Sequence, residues 1–478
     1  MKNLAPYIVL DAHEIDSIHE NTLTVLAKVG ISVHSEEVLS FFEREGLPVD
    51  KEHRALKLPR NIVEEALKAV PQKIPLVNRD GTASITLGGG TLATACGHDA
   101  IYMLDYGKDE RRGATKDDQA QATLIADYFS SIDIVAIQVM PQDVKKEATL
   151  LHALDAAFNN TRKHIYCAPD SNGLAKAAFE IARAVYEGDD GNIPLSAQVS
   201  PTSPLTLDKG TAEAALETIQ QGFMLSIVSE PLSGVTAPYT LAGLLTIHNA
   251  ETLALITMSQ IINRGAPVVY GSAWATFDMR TSNVTIGSPE AVLLRAAGAQ
   301  LARLYHIPYH TIAPDSDTHI LDEQNGWEKM ASVWSAVLGR ADFIVNAGMF
   351  STGLCASLEQ LVLDGEMFGY VKRLGNGIDV NEDTLALKTI LRLAHKGDYM
   401  AEENTLSYLG TGEHWQPLVS NREVYENWRA GGKPDVLKRA HDTAEKILKE
   451  HTPPQLDSAV QKEIDTIIKS FELDRTAD

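Results

Sequence analysis

Cysteine is scarce in this chain of 478 residues: there are three, Cys96, Cys167 and Cys355, and no two form a CxxC pair. Neither a zinc ribbon nor a disulfide framework can be built from that set, and a reducing cytoplasm is the expected compartment. Basic runs are missing too. With 42 Lys and Arg against 64 Asp and Glu the formal charge is −22, a surface that repels nucleic acid and anionic membranes. No apolar run reaches the roughly 18 residues of a membrane span. The opening "MKNLAPYIVLDAHEIDSIHE" has no signal-peptide core. No nucleic acid or membrane partner is therefore expected, whereas another protein or a small cation suits the charge.

Familiar catalytic signatures are also absent. There is no HExxH helix and no GxSxG elbow, and "GGG" at 88–90 neither leads into GK[ST] nor launches a helix. The acid-rich stretch "APDSDTHILDEQNGWEK" (313–329) places Asp315, Asp317 and His319 on alternate positions, as a calcium loop begins. Its fifth, sixth and twelfth positions are then His319, Ile320 and Gly326, where such a loop needs an oxygen ligand, Gly and Glu. No bound metal is expected, and the stretch reads as a polar loop leading into a helix.

What is present is a rhythm. Residues 13–72 hold three amphipathic helices, and "ASITLGGGTLATAC" and "AIYMLD" read as short strands with glycine turns. From residue 115 a helical stretch repeatedly precedes a short apolar run: "IDIVAIQVMP", "KHIYCAPD", "PLSAQVSP", "MLSIVSEP", "APVVYGSAW", "IPYHTIAPDS" and "ADFIVNAGMF". Runs of this kind suit parallel strands buried on both faces. A further helix near 354–364 and an eighth strand around Gly369–Leu374 complete the set. Eight repeats without a GxGxxG turn predict an α/β fold, a (β/α)8 TIM barrel with helical N- and C-terminal additions. The expected organisation is a helical region 1–75, a β-hairpin segment 76–114, the barrel 115–380 and a helical region 381–478, with a loose "ELDRTAD" tail.

Active sites of such barrels lie in the loops after the strands. Those loops carry Glu230, Asp170 and Asp315, and the buried strand end Cys167 has no His or Asn context that marks a nucleophile. They also carry rings: Trp274 and Phe277 on one loop, Phe350 on another, with Tyr102 and Tyr106 from the preceding hairpin. Aromatic faces attract quaternary ammonium groups; ordinary packing is the other reading of these rings.

The stretches "AAFNNTRKHI" (156–165), "SPTSPLTLD" (200–208), "GVTAPYTLAG" (234–243), "NAETLALI" (249–256), "GSPEAVLLRAAGAQLARLY" (287–305), "SDTHILDEQNGWEK" (316–329) and "GEHWQPLVSNREVYENW" (412–428) occur in that order. With them the chain resembles, along nearly its whole length, the trimethylamine methyltransferase family of corrinoid-dependent methyltransferases. Founding members carry pyrrolysine; this sequence has standard residues only, so it is similar to the non-pyrrolysine branch. Glycine betaine:corrinoid methyltransferase is the best-known activity there, and proline betaine and carnitine are other substrates. His319 stands where Lys is commoner in the family and Asn404 where His is, changes that bear on substrate choice.

The resemblance implies methyl transfer from a quaternary amine, with glycine betaine the lead, to the Co(I) corrinoid (cobalamin) of a cognate corrinoid protein. No cofactor is expected on this chain, which has no DxHxxG-type motif, and a homo-oligomer is expected. Since the leaving amine is neutral, no catalytic side chain is required and the protein's part is positioning. The expected substrate-binding set is Trp274, Phe277, Phe350 and Tyr102 around the ammonium, Arg280 or His319 at the carboxylate, and Asp315, Asp317, Gln324 and Glu230 at the mouth. Two other classes compete: a metal-independent lyase or hydrolase using Glu230 and Asp170, and a non-catalytic quaternary-amine binder.

Overall fold

The computed structural model describes residues 5–188 and 191–474. Eight parallel strands close into a barrel: β1 (Ala93–Cys96), β2 (Ile134–Ala136), β3 (His164–Cys167), β4 (Leu195–Val199), β5 (Leu225–Ser229), β6 (Val268–Ser272), β7 (Tyr309–Ile312) and β8 (Phe343–Ala347). Closure comes from β8 against β1, with Phe343 opposite Ala93. Every residue of these strands is buried. They are buried on both faces, as parallel strands covered by helices are. The helices that follow them are α1 (Lys116–Tyr128), α2 (Thr149–Phe158), α3 (Asn172–Val185), α4 (Lys209–Gln221), α5 (Leu241–Ile262), α6 (Pro289–Leu304), α7 (Glu323–Gly339) and α8 (Leu358–Asn376). By length and composition α5 is apolar enough to cross a membrane, which the sequence reading did not expect; most of it is buried inside the protein.

The (β/α)8 expectation holds, but the numbering shifts by one strand. The first barrel strand is "ATAC" at Ala93–Cys96, inside the segment read as a separate hairpin at 76–114. Its four small residues, with Thr94 the one β-branched among them, lack the apolar bulk that marked the others. The strand expected around Gly369–Leu374 is instead the last part of α8. The glycines of α8 serve close packing: a Cβ on Gly365 would lie 2.8 Å from Phe129 Cδ1, and one on Gly369 would lie 3.1 Å from Trp415 Nε1.

The three expected N-terminal helices are Ala12–Lys28, Glu36–Arg44 and Arg60–Ala69. Asp11 and Glu14 form a capping box on the first, and Ser35 caps the second. The hairpin Ile74–Val77/Ala83–Leu87 closes the N-terminal end of the barrel, where the Val77 carbonyl meets His164 Nδ1 at 2.9 Å. Burial pushes that imidazole down to about 4, so it is neutral. At the opposite end, Tyr102–Met103, Arg112–Gly113, Met349–Phe350 and Cys355–Ala356 form a small sheet from the loops after β1 and β8. Beyond α8 the longer helices are Val436–Glu450 and Ser458–Asp474, and two short ones, Glu382–Leu385 and Leu387–Leu393, meet at Ala386. Of the tail expected to be loose, the helix includes the part up to Asp474; 475–478 lie outside the described residues.

Candidate active site

Side chains from non-adjacent strands can meet only inside the barrel, and a polar column does so. His310 on β7 binds Ser226 Oγ on β5 at 2.8 Å, and its ring lies 5.6 Å from that of Tyr166 on β3. The Tyr166 hydroxyl donates to Gln198 Oε1 on β4 at 2.8 Å. His98, two residues beyond β1, approaches the same oxygen through Nε2 at 3.0 Å, while its Nδ1 lies 2.8 Å from Asp99 Oδ2. Both ring nitrogens of His98 thus face acceptor oxygens, an arrangement that favours the doubly protonated ring. Burial opposes that charge, but the Asp99 carboxylate outweighs it, with help from Glu230 and Gln198, and the pKa is raised.

Glu230 follows β5 directly and shares the face of Ser226 and Val228 by strand alternation. It stands beside Ser200, whose hydroxyl is 3.4 Å away. Protein encloses the carboxylate and raises its pKa, with His98 acting in the opposite sense. Water still reaches it from the open mouth, so the rise is smaller than the enclosure alone would give. Asp99 Oδ1, His310 Nε2 and both amide atoms of Gln138 are buried with no protein partner. The Gln138 amide sits between Gly97 and Gly348, where a Cβ would come within 3.0 and 2.8 Å of Nε2. Unsatisfied polar groups are rare in protein interiors, and these four atoms belong to the barrel interior and its mouth.

The sequence-predicted residues do not gather there as a set. Trp274 continues the outward alternation of Tyr270 and Ser272: it is fully buried, donates to the Tyr309 hydroxyl at 2.9 Å, and lies 4.1 Å from the His248 ring on α5. It is a wedge between barrel and helices, not a wall of the mouth. Arg280 is at an exposed hairpin turn, paired with Asp278 at 3.2 Å. Asp315 is buried behind the barrel, paired with Arg295 of α6 and accepting from Asn346 at 2.8 Å. Asp317 accepts from the Ile286 and Gly287 amides at 2.8 and 3.1 Å, and burial raises its pKa. Gln324 bonds to Glu328 on its own helix at 2.6 Å, and Glu328 holds the Asp317 amide. The acid-rich loop is thus largely a clamp that fixes its own path.

The rings are dispersed as well. Phe277 is half-buried on the hairpin after β6. One face of Tyr102 is covered by the Arg111 guanidinium, 4.0 Å from its centroid. Phe350 and His319 do meet, with Arg111 and Ser351, around a cavity of about 500 Å³ at the rim. Glu230 alone of the predicted set joins the polar column. His98, Asp99, Gln138, Tyr166, Gln198 and His310 were missed. For four of them the signal was present: Gln138 and Gln198 inside the apolar runs "IVAIQVM" and "LSAQV", and "GHD" after the unrecognised β1. Among the described residues, no group of three His, Cys, Asp or Glu side chains is placed to hold a metal ion.

The model of the trimethylamine methyltransferase (MTTB) family matches residues 1–472. The trimethylamine methyltransferase MttB of Desulfitobacterium hafniense is 32% identical over 462 residues, covering 96% of this chain and 93% of that one. A glycine betaine methyltransferase from another strain of Desulfitobacterium hafniense is 31% identical over 475 residues, covering 98% and 97%. Among solved structures, the monomethylamine methyltransferase of Methanosarcina barkeri superposes with a TM-score of 0.54 at 11% identity, covering 94% of this chain and 89% of that one, which supports the barrel fold. The chain belongs to the trimethylamine methyltransferase family and is a methyltransferase.

Proposed function

We propose that this methyltransferase takes a methyl group from a quaternary amine, with glycine betaine the lead and proline betaine or carnitine the alternatives. The acceptor is the corrinoid of a separate protein that docks at the barrel mouth. The observation that carries the reading is the charge set at the mouth: Glu230 and Asp99 beside the imidazolium of His98. Adjacent charges of both signs complement a small zwitterion, with the ammonium toward the carboxylates and the carboxylate toward the imidazolium. The full-length likeness to a glycine betaine methyltransferase supports the same substrate.

When its carrier docks, a Co(I) corrinoid supplies the nucleophile for the methyl carbon. The open mouth, through which water reaches Glu230, fits an acceptor that arrives from outside. Glu230 holds the ammonium by charge, without a hydrogen bond the substrate has no proton to give. Gln198 is fixed by Tyr166 and in turn fixes His98, so the charges stay in place when substrate leaves. The C–N bond electrons remain on a neutral amine, so no side chain must move a proton.

The test is turnover with chemically reduced free cobalamin, following loss of Co(I) absorbance with glycine betaine, proline betaine, carnitine and trimethylamine. Glycine betaine should be the fastest. Trimethylamine as the best substrate would reject the betaine assignment, and no loss with any of them would reject the reaction.

A further inference from the structure

Outside the barrel, α7, α8 and the chain that crosses them at 415–437 enclose a cavity of about 350 Å³, the size of a small-molecule site. Glu366 on α8 anchors the crossing chain. Its carboxylate accepts from the Leu418, Val419 and Ser420 amides at 2.8, 3.2 and 3.0 Å and from the Ser420 hydroxyl at 2.9 Å. Arg439 holds the same stretch, donating to the Val419 carbonyl at 2.6 Å. The wall that the crossing chain supplies is therefore fixed by hydrogen bonds.

The lining is apolar and aromatic. Met330 of α7 and Leu363 and Met367 of α8 contribute to it. The rings of Tyr370 and Trp415 meet edge to face there, with centroids 5.5 Å apart. Arg422 steadies Trp415 by donating to its carbonyl at 2.9 Å. One group in this lining is unsatisfied. Gln360 is 1% exposed, and its Nε2 donates to Asp364 Oδ1 at 2.9 Å. That bond fixes which way the amide faces, since an oxygen in place of Nε2 would meet an acceptor. Gln360 Oε1 is left buried with no protein partner, a rare state for a polar atom in a protein interior.

We propose that this cavity binds a small uncharged molecule with a flat ring and one N–H or O–H donor, which bonds to Gln360 Oε1. The ring suits the apolar lining and the faces and edges of Tyr370 and Trp415. An anion does not fit: among the described residues the lining holds the carboxylates of Asp322 and Glu366 and no Lys, Arg or His. A cation does not fit either. Glu366 already takes the donors of the crossing chain, and Asp322 caps α7 by accepting from the Asn325 amide at 3.0 Å. A charge would thus be buried against apolar walls. The site is distinct from the charged mouth, although Asp364, which holds Gln360, also accepts from the Gly348 amide after β8 at 2.7 Å.

Calorimetric titration of the full chain with indole and with 1-methylindole tests this. The two share shape and apolarity, but only indole has the N–H. Indole should bind once per chain, about three- to ten-fold tighter than 1-methylindole, the range one hydrogen bond supplies. Gln360→Leu should remove the difference between them. Met367→Trp, which fills the cavity from a half-buried position, should remove binding. If Gln360→Leu fails to fold, the wild-type comparison and Met367→Trp decide. No binding of indole at millimolar concentration, equal affinity for the two compounds, or binding that survives Met367→Trp overturns the proposal. So does displacement of indole by glycine betaine, which would assign the cavity to the substrate. An affinity that falls as protein concentration rises would assign it to a side chain of a second copy, and overturns the proposal as well.

Discussion

The Nδ1 of His98 lies 2.8 Å from Oδ2 of Asp99, and this contact favours the imidazolium form of a half-buried histidine at the barrel mouth. The pH profile should follow from it. Glu230 is raised by burial, so kcat/KM should climb as pH rises through a value above the usual 4.5 of a glutamate. His98 is also raised, despite its burial, by Asp99, so the alkaline limb should lie above 6.5 and activity should fall as His98 loses its proton. Asp99→Asn removes the stabilising charge and should move that limb to lower pH. The same variant has a stability signature: a raised histidine stabilises the fold fully below its unfolded pKa and loses that contribution as pH rises through the folded one. Denaturation at several pH values should therefore show wild type losing stability across that window and the variant losing less. An alkaline limb unmoved by Asp99→Asn would remove His98 from the active form.

Glu230→Gln keeps shape and removes charge. A carboxylate near an ammonium is worth about 1 kcal/mol in water and about 4 in a partly enclosed site. The open mouth puts this one between, so kcat/KM for glycine betaine should drop roughly five-fold to several hundred-fold. Steady-state assays with free cobalamin measure it. An unchanged rate would exclude Glu230 from binding the ammonium.

The barrel was legible because seven of its strands are apolar, β-branched runs separated by helices, a period that burial on both faces imposes. "ATAC" escaped because small residues pack as well as large ones where neighbouring side chains fill the space, and α8 misled because its glycines answer to Phe129 and Trp415, which lie far off in sequence. Site residues were less legible. Trp274 sits on a mouth loop in sequence, yet one step of strand alternation turns it toward α5 and α6. His98 and Glu230 lie 132 residues apart, and only the closed register of β1 through β5 brings their charges together.

Trp274 separates the two readings. As a cage wall, its loss would weaken substrate binding. As the wedge seen here, Trp274→Ala opens a cavity and leaves the Tyr309 hydroxyl short of a donor, which should cost about 3–5 kcal/mol of stability and lower the melting temperature. KM for the folded fraction should stay near wild type, and Trp274→Phe should recover most of the stability. A large rise in KM with an unchanged melting temperature would restore the cage.

Lys329 and Asp364 form a fully buried pair, 2.8 Å apart, behind the ends of β7 and β8. Lys329 Nζ also donates to the Pro314 and Met349 carbonyls at 3.2 and 2.5 Å, and Asp364 accepts from the Gly348 amide at 2.7 Å and from Gln360 at 2.9 Å. The pair thus ties the loops after two strands to α7 and α8, and through Gly348 it reaches the Gln138 amide. Lys329→Met strands a buried carboxylate whose pKa burial already raises, and should cost about 3–5 kcal/mol. Lys329→Met with Asp364→Leu removes both charges and should regain much of that loss, since a buried pair contributes little beyond an apolar replacement. Activity should not follow stability: the double variant frees the Gly348 loop and should turn over more slowly than its melting temperature suggests. Denaturant unfolding and turnover of both variants measure the two effects, and a double variant no more stable than Lys329→Met would show that the loop contacts, not the charges, hold this corner together.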